Sequence, residues 1–86
     1  MSNEKRTIKR VAIAIHPKLA GVSDDAGQIC QFFTDHGIAS AVYQTDHPDL
    51  AEKIARNEVD LVVALGGDGT MLRAGHLTAP LGIPLL

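Results

Sequence analysis

The densest chemical signal in the sequence is Gly66-Gly67-Asp68-Gly69-Thr70, three glycines around one acid. Glycine takes positive φ without a steric penalty and lets the backbone approach a ligand closely. A helix starting beside such a turn presents free N–H groups and a partial positive charge, which suits a phosphate. Two familiar phosphate turns do not fit. The P-loop needs a lysine after its glycines, whereas this chain continues Thr70-Met71-Leu72. The dinucleotide fingerprint Gly-x-Gly-x-x-Gly matches Gly67-Asp68-Gly69 and then fails, with Leu72 in place of the third glycine.

The acid at the centre sets this turn apart. A carboxylate repels a bare phosphate, so Asp68 should serve another group. It could accept the proton of an attacking hydroxyl, as the catalytic aspartate of kinases does, help that contributes typically ~10² to 10⁴ in rate. It could instead hold Mg²⁺, bond a ribose hydroxyl, or merely cap the next helix. The spacing leaves these readings open. Arg73 adds one more clue. A cation in a helix's first turn opposes the dipole by roughly 0.3 to 1 kcal/mol, so it either answers a bound anion or carboxylate or points into solvent.

The elements that must position this turn are legible in the apolar pattern. Arg10 to Ile15 reads as a strand apolar on both faces, as in parallel sheets covered by helices, and ends at His16-Pro17-Lys18. Ser23, Asp24 and Asp25 suit a helix start, Ala26, Ile29, Cys30 and Phe33 form one apolar stripe, and Gly37 supplies the stop. Ala39 to Gln44 is a second strand. A helix follows from Thr45-Asp46-His47-Pro48, its inner face Leu50, Ala51, Ile54 and Ala55. Leu61 to Leu65 is a wholly apolar strand running into the glycine turn; a helix is predicted over Thr70 to Ala79 and a fourth strand from Ile83 to Leu86. The order β-α-β-α-β-α-β implies an α/β fold, a three-layer, parallel-sheet (Rossmann-like) domain. The glycine turn then lies beyond a strand's carboxyl end, where such sheets bind ligands.

Composition bounds the partners. The 86 residues carry 45% apolar residues, a net charge of −2 and 3% aromatics, which argues against nucleic-acid binding. Lys5, Arg6, Lys9 and Arg10 read as a solvated arm. No apolar run approaches the ~20 residues of a membrane helix and no signal peptide is evident, so a cytoplasmic location without membrane attachment is expected. Cys30 has no partner for a disulfide and reads as a small core residue. His16, His36, His47 and His76 are scattered, and no metal-ligand set is predicted. His16 and Lys18 fall on the same sheet edge as the glycine turn, within reach of phosphates or simply on a surface loop. Leu81 to Leu86 reads as entry into a buried strand, so the chain is expected to be truncated at its fourth strand: a polar arm over 1–8 and an incomplete domain over 9–86.

The run Leu65-Gly66-Gly67-Asp68-Gly69-Thr70-Met71-Leu72-Arg73-Ala74 resembles the NAD kinase family. Gly-Gly-Asp-Gly is shared with lipid kinases and 6-phosphofructokinases; Thr-Met-Leu-Arg-Ala is what points to NAD kinases. The spacing to Gly82-Ile83-Pro84-Leu85-Leu86 is similar too, though His16 stands where relatives often have asparagine. The resemblance implies ATP-dependent phosphorylation of the adenosine ribose 2′-hydroxyl of NAD to NADP. Asp68 would then be the proton acceptor, Asp68, Gly69 and Arg73 would contact NAD, and Gly66, Gly67 and Thr70 would form the phosphate loop. It implies a divalent ion, Mg²⁺, on the nucleotide phosphates, and a homo-oligomer at full length. The family's downstream Asn-Asp or Asn-Glu motif and C-terminal β-sandwich are absent from these residues, so the segment alone is expected to be inactive. The alternatives are a lipid or sugar kinase of the same superfamily, or a nucleotide-binding module without catalysis.

Overall fold

The computed structural model describes residues 8–16 and 22–86. Three parallel strands, β1 (Arg10–Ile15), β2 (Ala39–Gln44) and β3 (Leu61–Leu65), lie in the order β2-β1-β3. Three helices connect and follow them: α1 (Val22–Asp35), α2 (Pro48–Ala55) and α3 (Asp68–Thr78), the last running into a 3-10 turn at Ala79–Leu81. Among the described residues no helix is long and apolar enough to cross a membrane.

Central position explains the composition of β1. Its side chains alternate between two cores, Val11, Ile13 and Ile15 against α1, and Ala12 and Ala14 on the face of α2 and α3. Both sets are buried, so the strand is apolar throughout. The small alanines let Leu50 and Ile54 of α2 and Ala74 of α3 approach the sheet. On the other face Ala26 is fully buried, with Ile29, Cys30 and Phe33 packed beside it, as the stripe in the sequence predicts. The chain steps from β1 to β2 in one direction and from β2 to β3 in the other. Right-handed crossovers therefore put α1 on one face and α2 and α3 on the opposite one. This is the three-layer α/β arrangement expected.

Details depart from the sequence pattern. α3 begins at Asp68, two residues before the predicted Thr70, because Gly67 already acts as N-cap. It ends at Thr78, whose hydroxyl donates to the Ala74 carbonyl (3.0 Å), and Pro80 then falls in the tighter 3-10 turn. Ala55, predicted on the inner face of α2, is exposed, while Leu50 and Ile54 are buried. The proline of α2 is in its first turn, and the cap is His47, whose Nδ1 accepts from the Asp49 N–H (3.1 Å).

The beginning of a fourth strand predicted at Ile83 to Leu86 is present as one parallel bridge. Leu85 pairs parallel with Val62, supported by bonds from Val62 N–H to the Pro84 carbonyl (3.0 Å), Leu86 N–H to the Val62 carbonyl (2.9 Å) and Ala64 N–H to the Leu86 carbonyl (2.8 Å). Pro84 accepts but has no N–H to donate, which shortens the ladder. Of the arm expected over 1–8, residues 1–7 lie outside the described residues, as does Lys18, and Ile8 packs half-buried on the α1 side.

Candidate functional site

The turn at the β1/β3 switch point is built around Gly66. The chain leaves β1 toward β2 on one side, while β3 lies on the other, so their carboxyl ends flank the crevice where open α/β sheets bind ligands. His16, just past β1, donates its N–H to the Leu65 carbonyl (3.3 Å), which ties the two strand ends together. Gly66 then takes φ +146°, and a Cβ there would stand 2.5 Å from Thr70 Oγ1, 3.1 Å from Thr70 Cβ and 3.3 Å from His16 Cβ. Only glycine fits this position.

Gly67 and Gly69 are different. A Cβ at either would meet nothing within 4 Å, so the backbone on that side is open. Gly67 is the N-cap of α3 without a side-chain bond to the first turn; its carbonyl accepts from the N–H groups of Thr70 (3.1 Å) and Met71 (3.3 Å). The N–H groups of Asp68 and Gly69, at the head of an eleven-residue helix, remain as the anion-attracting end of the dipole.

Asp68 is the first residue of α3, and its side chain is exposed. Because the cap is Gly67 and carries no side-chain bond, Asp68 does not act as the helix cap, and that reading of the sequence falls. Among the described residues it makes no ion pair and no hydrogen bond from its carboxylate. It shares a helical stripe with Met71 and Leu72, which are 44% and 63% exposed, large apolar side chains left beside a carboxylate. Arg73 is exposed as well, but lies about 140° around the helix from Asp68, so the two do not form one face.

Thr70 is the residue whose role the sequence pattern does not disclose. It is only 2% exposed, and its hydroxyl is buried without a hydrogen-bond partner. Packed under Gly66, it fixes the height of the turn, whereas the sequence suggested only a phosphate-loop member. Gly66, Gly67, Asp68, Gly69, Thr70 and His16 are thus brought together, and Arg73 stands apart on the helix flank. No group of three or more His, Cys, Asp or Glu capable of holding a metal ion occurs among the described residues.

A second anchor lies at the opposite, amino end of the sheet. Asp60, just before β3, accepts the N–H groups of Lys9 (3.0 Å) and Arg10 (2.9 Å) and pairs with the Arg10 guanidinium (3.1 Å). The bond from Arg10, joined by those backbone N–H groups, holds its carboxyl below the usual range against the opposing pull of burial. Asp60 clamps the starts of β1 and β3 and takes no part in the crevice. Nothing in the local pattern around Asp60 marks it, because its partners are fifty residues away.

Comparison with known proteins agrees with this geometry. The model of the ATP-NAD kinase N-terminal domain matches residues 4–86. The chain is 33% identical over 86 residues to the NAD kinase of Koribacter versatilis, covering 92% of this chain and 30% of that protein. It is 33% identical over 81 residues to the NAD kinase of Oleidesulfovibrio alaskensis, covering 94% and 27%, and 47% identical over 49 residues to that of Symbiobacterium thermophilum, covering 55% and 17%. The chain therefore spans under a third of the length of these relatives. No solved structure matches it. A family match over nearly the whole chain, on a parallel sheet with the glycine turn at its switch point, means that the chain belongs to the NAD kinase family, as its N-terminal domain.

Proposed function

We propose that this chain supplies the phosphate turn and the general base of an enzyme that transfers a phosphoryl group from ATP to the adenosine ribose 2′-hydroxyl of NAD, giving NADP. The observation that carries the proposal is the state of Asp68: exposed, first in α3, and held by no structural bond among the described residues, beside backbone amides suited to a phosphate. A carboxylate so placed is free to accept the proton of the attacking hydroxyl while the turn orients the phosphates. In this reading Gly66, Gly67 and Thr70 shape the phosphate loop, Asp68 and Gly69 touch NAD, and Arg73 meets the nucleotide from the helix flank.

Mg²⁺ accompanies the ATP phosphates in this reading and would neutralise their charge. The described residues offer no ligand set for it, so no step is assigned to it. The names of the relatives and the family match support NAD and ATP as substrates. Because the chain spans 30% or less of the relatives compared, the activity belongs to the longer protein, with a C-terminal β-sandwich completing the site of a cytoplasmic homo-oligomer. A chimera tests this. Residues 4–86 replace the matching segment of the Koribacter versatilis NAD kinase, and NADP formation is measured with and without Asp68→Asn. An active chimera whose rate is unchanged by the substitution would overturn the assignment of Asp68.

A further inference from the structure

The cap of α2 is a side chain whose acceptor one proton can remove. Helix starts favour Ser, Thr, Asp or Asn at this position, side chains that keep an acceptor oxygen throughout the neutral range. The chain offers Thr45 and Asp46 here and uses neither. Thr45 is buried just past β2, its N–H donating to the Ile15 carbonyl (3.0 Å), and the N-cap is His47. Pro48, first in the helix, has no N–H. Leu50 donates to the His47 carbonyl (3.3 Å), and the Asp49 N–H has His47 Nδ1 (3.1 Å) as its acceptor. An amide donating to Nδ1 fixes the tautomer: Nδ1 is bare and Nε2 carries the proton.

We propose that His47 is a proton-operated cap on α2. In the neutral ring Nδ1 accepts the Asp49 N–H. A proton taken from solvent onto Nδ1 makes both ring nitrogens donors and ends that bond. The new N–H has an acceptor at hand, since Oδ2 of Asp49 lies 3.7 Å from Nδ1. The ring thus exchanges the backbone of Asp49 for its carboxylate. The His47 side chain is 53% exposed, so the proton arrives directly from water. A lost backbone bond and a gained ion pair oppose each other, which makes the change one of local bonding more than of global stability.

The surroundings leave that choice to His47 and Asp49. The groove beside the ring is bordered by Val42, Tyr43, Gln44 and Asp49, none of them cationic. Tyr43 of β2 and Asp49 of α2 are therefore the titratable groups facing it there, with Asp46 next to it in the chain. Leu50 and Ile54 are buried in the core that also holds Ala74 of α3, which keeps α2 docked while its first turn changes. That turn stands on the carboxyl edge of the sheet, the edge that carries the glycine turn. Backbone bonds from Thr45 to Ile15 and from His16 to Leu65 run across it. The inference is independent of the NAD kinase reading.

Nuclear magnetic resonance of the chain between about pH 8 and pH 5, the range in which imidazoles change charge, tests it. At the upper end a hydrogen-bond scalar coupling should join the Asp49 amide nitrogen to His47 Nδ1. At the lower end that coupling should vanish. The Asp49 amide, corrected for intrinsic exchange, should then lose roughly 2- to 30-fold in protection, the weight of a lost N-cap bond. His47→Asn supplies an acceptor that does not titrate in this range and should hold Asp49 protection equal at both ends. His47→Ala should leave the Asp49 amide equally unprotected at both. The wild-type coupling decides the matter even where a variant unfolds. Absence of the coupling at the upper end, its survival with the ring protonated, or the same pH dependence of Asp49 protection in His47→Asn overturns the proposal.

Discussion

Gly66 lies over Thr70 so closely that a Cβ on residue 66 would stand 2.5 Å from the Thr70 hydroxyl, on a backbone at φ +146°. The height of the glycine turn above α3 is therefore set by the absence of one methyl group. Gly66→Ala should destabilise the domain by about 1–3 kcal/mol, the usual cost of a residue held in a forbidden backbone region, with more from the clash. Gly67→Ala meets open space and negative φ and should cost far less. Thermal melts of the two variants make the comparison, and equal melting temperatures would show that the turn relaxes freely.

Beneath that glycine the Thr70 hydroxyl has no partner among the described residues. A buried, unbonded hydroxyl costs roughly 1–3 kcal/mol, and replacing it by an apolar group of the same shape removes the cost. Thr70→Val should accordingly be neutral or stabilising in chemical denaturation. A loss above about 1 kcal/mol would mean that the hydroxyl has a hydrogen-bond partner in solution.

How much of this was legible in the sequence follows from which interactions are local. β1 and β3 announce themselves because both faces of each are buried, and the α1 stripe because residues three and four apart share one core. The glycine turn at the head of a helix was legible since its glycines, acid and helix start are contiguous, and the phosphate role proposed for it rests on that local run. The position of α3's start was not, because capping by a glycine backbone leaves no side-chain signature. The entry into a fourth strand was legible from the apolar run Ile83 to Leu86, and it is met by the parallel bridge of Leu85 with Val62. The Thr70 packing and the Asp60 clamp depend on the fold having formed: one needs the height of the turn, the other joins residues fifty positions apart.

Asp60 makes that clamp sensitive to acid. Its folded pKa is lowered, chiefly by the Arg10 side-chain bond, relative to the unfolded chain. A lowered carboxyl contributes stability that is fully present above the unfolded value, about pH 4, and is lost as pH falls through the folded value. Urea midpoints should therefore fall below about pH 4 more steeply for the wild type than for Asp60→Asn, which has no charge to lose. At neutral pH Asp60→Ala, which strands the Lys9 and Arg10 N–H groups, should cost about 1–3 kcal/mol. Identical pH profiles for wild type and Asp60→Asn would show that another carboxyl governs acid unfolding.

The role proposed for Asp68 predicts the opposite signature, a loss of activity with little loss of stability. Among the described residues its side chain makes no hydrogen bond or ion pair, so Asp68→Asn should cost no more than the roughly 0.3–1 kcal/mol of a lost first-turn acid. In the chimera with the Koribacter versatilis relative the same substitution should lower kcat for NADP formation by about 10² to 10⁴ with little change in KM, the pattern of a lost general base. Residues 1–86 alone are expected to form no NADP, since the relatives are more than three times as long and the proposed site is completed by the longer protein. Three outcomes bear separately. Turnover by the 86-residue chain would refute the need for a second domain. A rise in KM with kcat preserved would make Asp68 a ribose-binding group instead of a base. A loss of stability well above about 1 kcal/mol on Asp68→Asn would return it to the structural role that its place beyond the Gly67 cap argues against.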